Sequence, residues 1–295
     1  MAMNAPHIIN PNVSPMIPEL WMAEVLMARE MNLVASKVFY EINHRGKKGD
    51  VLHLPTLSHL VANDKLPETE VTLQAPTEGE KVFHINKHKE VSFIIEDFTE
   101  AQENYELRRR YTEEAGKALA RTIDTDILAQ YVNLDKVVAG DDGITDWDAL
   151  IGNSGDITDV AIRNMLELLD NADVPEDNRF VIVPPSQKNV IRGIPKFIEM
   201  DKYGSNTPLQ KGLFGEIYGL KFYSTTNCPT IVTGNNLHRV GFLGHKESIV
   251  ALVQKDVRIQ AQYLQQFLGT LVTADVIYDD DVIRPDSCIA FVVPK

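Results

Sequence analysis

From Val91 the chain runs VSFIIEDFTEAQENYELRRRY. An apolar run of strand character passes within a few residues into charge-studded helical sequence that continues to about residue 133. Tyr111, Ala115, Leu119, Ile123, Ile127 and Tyr131 follow at steps of four, with Ala118 and Thr122 between them. Each step leads the 3.6-residue turn by about 40°, so the apolar stripe winds slowly around the axis. Thr99-Glu100-Ala101-Gln102 has the form of a capping box, in which hydroxyl and amide each satisfy a free backbone donor. The spacing therefore predicts a helix over about 99–133, a rod on the order of 50 Å. Such length belongs to a coiled coil, a membrane span or a strut. There is no sustained heptad, and Arg108, Arg109 and Arg110 with Glu113 and Glu114 exclude a span. A strut remains, and a strut fits an object thinner and larger than one globule. Gly116 interrupts the rod at a cost of about 1 kcal/mol relative to alanine. It marks either close packing of a neighbour or a bend.

A second feature points the same way. KKGDVLHLP predicts a turn and a short strand from Val51 to Leu54 ended by Pro55, and VFHINKHKEVSFII returns as a second extended run. Between them, residues 56–80 are polar, with Pro67, Pro76 and Gly79 among Glu68, Glu70, Glu78 and Glu80. Two strands with a long polar tip read as an extended hairpin that cannot bury itself. Long loops of this kind are uncommon in compact domains unless they are functional or docked on something else.

The flanking regions complete an α+β reading. Residues 1–18 carry Pro6, Pro11, Pro15 and Pro18 and read as an arm, since proline fixes its own φ and extends the residue before it. Pro18 suits the first turn of a helix through ELWMAEVLMAREMNLVASKV. After the acidic loop AGDDGITDWD, ITDVAIRNMLELLDNADV predicts an amphipathic helix stopped by Pro175. FVIVPP predicts a buried strand, followed by a short helix from Ser186. EIYGLKFYSTT, RVGFLG, SIVALVQ, VRIQAQY, TLVTADVIY and CIAFVVP predict further strands, with Asp279-Asp280-Asp281 as a turn between Ile277-Tyr278 and Val282-Ile283. Helices and strands mix without strict βαβ alternation.

Composition bounds the function. The 295 residues are enough to bury a real core, and a formal charge of -13 argues against a general nucleic-acid-binding surface. No apolar run approaches the about 18 residues of a membrane span, and MAMNAPHIINPNVSP lacks the cationic start of a signal peptide. Cys228 and Cys288 are far apart in sequence and fit a reducing cytoplasm. The common catalytic constellations are missing: there is no G-x-x-x-x-G-K-[ST], G-x-S-x-G, S-x-x-K or H-E-x-x-H, and GLFGEIYG has the wrong spacing for a dinucleotide fingerprint. AGDDGITDWDAL lacks the first acids and the closing Glu of a calcium loop. His84 and His88 lie in an extended run, where four residues span about 13 Å, too far for one metal ion. Lys47-Lys48 reads as a charged turn. The expectation is therefore a non-enzymatic chain with no catalytic, cofactor-binding or metal residues and no cofactor.

The chain resembles the major capsid proteins of tailed bacteriophages, which have the Hong Kong 97-type fold. The resemblance runs from about Trp21 to Pro294. It rests on Gly49-Asp50-Val51-Leu52-His53-Leu54-Pro55 opening the hairpin, and on Glu96-Asp97-Phe98 with Ala101-Gln102 leading into the helix. Ala118-Leu119-Ala120 and Asp124 on the helix, GLFGEIYGLKFYSTTN, HKESIVALVQK and Ile283-Arg284-Pro285-Asp286 complete it. It implies an N-terminal arm and first helix (1–40), an E-loop hairpin (41–93), a peripheral domain with its spine helix (94–177), an axial domain (178–270) and return strands to the peripheral domain (271–295). It further implies self-assembly into hexamers and pentamers of an icosahedral head around double-stranded DNA, built in the host bacterial cytoplasm. Portal, scaffolding and decoration proteins would be partners, DNA would be touched only weakly and non-specifically, and no membrane would be involved. Some relatives cross-link through a Lys and an Asn. Lys65 and Lys81 lie in the hairpin region, but no match assigns either.

Two alternatives share the sequence: an encapsulin-like bacterial compartment of the same fold, and a soluble enzyme with a diffuse site. Family members expand on DNA packaging as the spine helix straightens. If Gly116 lies at that bend, Gly116→Ala slows or blocks expansion, measured as expansion kinetics of purified procapsids; unchanged kinetics removes the role.

Overall fold

A computed structural model describes residues 34–43, 49, 51–57, 60–65, 67–71, 73–75, 78–96, 106–147, 154–194, 213–233 and 236–295. The arm at 1–18, most of the helix expected after Pro18, Lys47-Lys48 and the capping box at Thr99 lie outside these residues.

The described chain opens with one helical turn, α1 (Ala35–Val38), and β1 (Tyr40–Asn43). The hairpin follows as β2 (Val51–Leu57) and β3 (Glu78–His84), antiparallel from Val51↔His84 to Leu57↔Glu78. β2 runs on through Pro55, which was expected to end it. In a two-stranded ribbon every strand is an edge, and a missing N–H is tolerated there. VFHINKHKEVSFII is two strands, since the pairing breaks at Ile85-Asn86 before β4 (Lys87–Glu96).

α2 (Glu106–Ala129) is the long helix, about 36 Å over its described length, tightening to a 3-10 turn over Gln130–Asn133. The middle of its winding stripe is the buried face: Ala115, Leu119, Ile123 and Ile127 are all within 4% of full burial, whereas Tyr111 at one end is 46% exposed and Tyr131 at the other is half-buried. Gly116 is buried as well. β5 (Lys136–Ala139) precedes α3 (Asp159–Asn171). Thr158 caps α3 by accepting from the Ala161 N–H at 3.1 Å. α3 ends three residues before Val174, where Asp173 turns left-handed and the Val174 N–H returns to the Leu169 carbonyl.

β6 (Arg179–Val183) is the expected buried strand, and Pro184-Pro185 lead into α4 (Pro185–Arg192). GLFGEIYGLKFYSTTN, whose resemblance implied a strand-turn-strand, is the hairpin of β7 (Leu213–Ile217) and β8 (Leu220–Ser224). Tyr218 and Gly219 both have positive φ, as a tight two-residue hairpin turn requires. β9 (Thr230–Thr233) and β10 (Asn236–His245) follow. SIVALVQ and VRIQAQY, expected separately, form one 16-residue strand, β11 (Ile249–Leu264), with irregular register around Lys255. β12 (Gly269–Val282) swallows the expected aspartate turn whole, and β13 (Cys288–Pro294) closes the chain.

The strands sort into a four-stranded sheet, β1-β11-β12-β4, and a seven-stranded sheet, β5-β13-β10-β6-β8-β7 with β9 on β10. These memberships cross the sequence-based boundaries. β11 and β12 pair across residue 270, and β13 joins β10 and β5 rather than β12. Alternation along the seven-stranded sheet serves two cores. Val181, Val183, Leu243, Ile289 and Phe291 face α3 and α4, while Phe180, Ile182, Phe242, Ala290 and Val292 face the core that holds α2 and the four-stranded sheet.

Gly241 shows how closely neighbouring strands of the seven-stranded sheet pack. A Cβ there would lie 2.3 Å from the Phe291 ring and 2.9 Å from the Ile182 carbonyl oxygen. Gly241→Ala should lower stability by about 1–3 kcal/mol, the usual price of overpacking, read as a lower urea midpoint at unchanged slope.

Candidate assembly surfaces

The hairpin is the surface least able to satisfy itself. Among the strand residues whose burial is described, Phe83 alone is fully buried, and Val51, Leu52 and Leu54 are half-exposed. Beyond the strands, Leu60 (69% exposed), Val61 (68%), Val71 (62%) and Leu73 (89%) stand in solvent. The tip is nonetheless ordered by its own chemistry. Gln74 accepts from the Val61 N–H at 3.0 Å and donates to the Val61 carbonyl, so one amide side chain stands in for a strand partner. Glu68 turns left-handed after Pro67. His53 and Glu80 meet across the strands at 2.9 Å. The ribbon is shaped without being buried, and its four exposed apolar side chains await a surface.

At its base the ribbon meets a charged junction built on β12. Tyr278 and Asp280 point toward α2, as alternate residues of one strand do. Tyr278 donates from its hydroxyl to Asp126 of α2 at 2.7 Å, and Gln130 donates to both the carbonyl and the carboxylate of Asp280 at 2.8 Å. From β4, Lys87 pairs with Asp280, and Lys89 with Asp126 at 3.2 Å. On the opposite side, Asp281 binds Lys81 of β3 at 3.0 Å. Asp275 takes Arg258 through two 2.8 Å bonds and His88 at 3.1 Å. Burial pushes the Asp275 carboxyl up, but Arg258 and His88 outweigh it and hold the group below its ordinary value. Asp279 has no such help. Burial and the charges of Asp280 and Asp281, against its backbone bond and Lys87, push it to about 6. Burial, Asp126 and the neighbouring aspartates likewise push the Tyr278 hydroxyl up.

The residues singled out by sequence fall as follows. His84 ends β3 and His88 lies in β4, where it serves Asp275. Lys65 is exposed in the tip, and Lys81 is engaged with Asp281. Asp142 accepts from the backbone N–H groups of Ile144 and Thr145 at 2.9 and 3.0 Å, a local turn in the acidic loop. Cys228 and Cys288 are buried free thiols, each pushed by burial to about 12. Among the described residues no group of three or more His, Cys, Asp or Glu is arranged to hold a metal, and no helix is long and apolar enough to cross a membrane. Sequence reading missed the junction. KHKE carries its signal, since alternation puts Lys87 and Lys89 on one face and His88 on the other, but three successive aspartates suggested a turn.

A double-sheet body carrying a ribbon with exposed apolar side chains suits a chain that is completed by an assembly. The comparisons are specific about which. A model of a phage capsid protein family matches residues 91–281, and the chain belongs to that family. It is a structural major capsid protein, part of the virion capsid, with the α+β Hong Kong 97-type fold. In fold it is similar to the capsid of cyanophage P-SCSP1u, at 17% identity and TM-score 0.66 over 88% of this chain and 87% of that one. It is similar also to a structure of Mycobacterium phage Che8 (21%, 0.63, covering 83% and 85%) and to the capsid of Ralstonia phage GP4 (14%, 0.66, covering 90% of each). None of the curated proteins is significantly similar to it. The family match favours a phage head over the encapsulin-like alternative.

The junction generates a pH prediction. Because the Asp279 carboxyl is raised from 3.8 to about 6, the folded chain holds this proton more tightly than the unfolded chain. Its contribution to stability is present below about pH 4 and is lost as pH rises through about 6. Asp279→Asn should match the parent near pH 4 and exceed it at pH 7.5 by about 1–3 kcal/mol, measured by urea unfolding at both pH values. An equal difference at both would refute the assignment.

Proposed function

We propose that copies of this chain close into the icosahedral head that encloses double-stranded phage DNA, and that the hairpin is the limb by which each copy grips the next. The observation that carries the reading is the ribbon with four large apolar side chains 62–89% exposed. Burying them on a sister chain is worth about 25 cal/mol per Å² of apolar surface. Contacts of a few kcal/mol each suffice, because every copy in a closed shell is held at several places at once.

In this reading the hairpin is the E-loop and α2 the spine helix. α2 with the four-stranded sheet forms the peripheral body, and the seven-stranded sheet with α3 and α4 the axial body. The axial body meets its copies in hexamers and pentamers. Portal, scaffolding and decoration proteins complete the particle, and the chain itself performs no catalysis. The charge of -13 supports weak, non-specific contact with DNA at the inner face, since a net negative wall would not bind the packaged duplex tightly.

The hairpin assigns the test. Leu60→Ser with Leu73→Ser alters side chains that stabilise nothing within the chain, so the free protein should unfold within about 0.5 kcal/mol of the parent. Electron microscopy should show closed shells from the parent and loss of most of them from the variant. Parent protein that remains a small soluble oligomer at every concentration would defeat the reading.

A further inference from the structure

One buried carboxylate takes no part in the junction. Asp124 lies on α2 with none of its surface exposed. Among the described residues three groups face its oxygens, and all three are donors: the Val34 N–H and the Ala35 N–H, each at 3.2 Å, and the Asn227 side-chain amide at 3.3 Å. The two backbone donors are those at the first turn of α1, where helix N–H groups have no intrahelical acceptor. α2 thus caps α1 from outside, and Asn227 ties in the loop between β8 and β9.

The ten residues that begin at this cap reach α2 and both sheets. Phe39, directly after α1, is fully buried, with its ring centroid 4.9 Å from Phe180 and 6.4 Å from Phe242, edge-on to both. Those partners belong to the seven-stranded sheet. β1 then lies parallel to β11 from Tyr40↔Val250 to Asn43↔Val253, as the outer strand of the four-stranded sheet. Residues 34–43 therefore clamp helix and both sheets together. One end of the clamp receives the 33 residues that precede Val34; the other leads into the hairpin.

We propose that Asp124 is the positioning residue for the hairpin: by fixing the first turn of this clamp it sets the angle at which the hairpin is carried. Its consequence for shell geometry rests on the assembly reading above; the positioning itself does not. The chemistry is selective. A carboxylate accepts from three donors at once, whereas Asn presents one acceptor oxygen and turns its own N–H₂ toward a donor. The site is also kept against a penalty, since burial pushes the Asp124 carboxyl up despite its three donors and Lys37. Removing the charge should therefore loosen the clamp without a matching loss of global stability.

The test uses the full chain in its unassembled form. Asp124→Asn should raise hydrogen exchange of the 34–43 amides about tenfold or more, with a urea midpoint close to the parent's. Spin labels on cysteines introduced at the exposed Asp64 and Glu167 should report a broadened hairpin-to-body distance by double electron–electron resonance. If Asp124→Asn fails to fold, Asn227→Ala, which removes one donor and leaves the carboxylate, should give the same two changes in smaller degree. Unchanged exchange at 34–43, an unchanged distance distribution, or faster exchange spread evenly over the chain would overturn the proposal. Failure of shells to form from the parent bears on the assembly reading alone.

Discussion

Two paired strands bury almost nothing against each other, and much of the molecule is arranged around that constraint. The hairpin satisfies its backbone along seven register pairs from Val51↔His84 to Leu57↔Glu78, yet only Phe83 among the strand residues whose burial is described is fully buried. A ribbon of this kind is marginal in water by itself. Its shape comes from local devices, namely the Gln74–Val61 bonds and the Glu68 turn. Its lasting placement has to come from another surface. A body that carries such a limb needs stability of its own, and the two sheets with their separate cores supply it.

β12 is where limb and body are joined. It pairs with β11 along its 14 residues and with β4 from Gly269 to Tyr278, so most of its backbone is satisfied on both sides. That leaves its side chains free to carry charge at the lower end. Tyr278 and Asp280 reach α2, while Asp281 reaches the hairpin. The two kinds of contact differ in strength. Lys81 and Asp281 are partly exposed, and such pairs contribute about 0–1 kcal/mol. Asp280 is buried and holds Lys87 and Gln130. The base of β4 is thus fixed firmly, and the ribbon beyond Ile85-Asn86 is tethered lightly.

Much of this was legible in the sequence, and the exceptions have physical causes. The steps of four from Ala115 to Ile127 identified the buried face of α2 because a helix has one dominant period. The run FVIVPP predicted β6 because four successive apolar residues, Phe180 to Val183, between turn signals leave little choice. The aspartates were misread because local propensity disfavours Asp in strands, and what overrides it is tertiary: Lys87 and Gln130 arrive from elements more than a hundred residues away. The continuity of β11 was hidden by Lys255-Asp256, which looks like a break and is a bulge. The division into sheets was hidden for a related reason. Neighbours in sequence, β12 and β13, separate into different sheets, and hydrophobic patterning carries no record of which partner a strand will take.

The same contrast explains why a shell protein would place its anchors where this one does. Light tethering would let a ribbon adjust to neighbouring copies in a shell that meet it at differing angles. Adjustment is useful only if the ribbon's root stays fixed, since an error of angle at the root is multiplied along its length. The clamp from Val34 to Asn43 meets that need by engaging α2, the seven-stranded sheet and the four-stranded sheet within ten residues. A single sheet could tilt against the other and carry the limb with it. Tying both sheets to the long helix at one place removes that freedom, and a carboxylate that accepts only donors fixes the tie in one geometry.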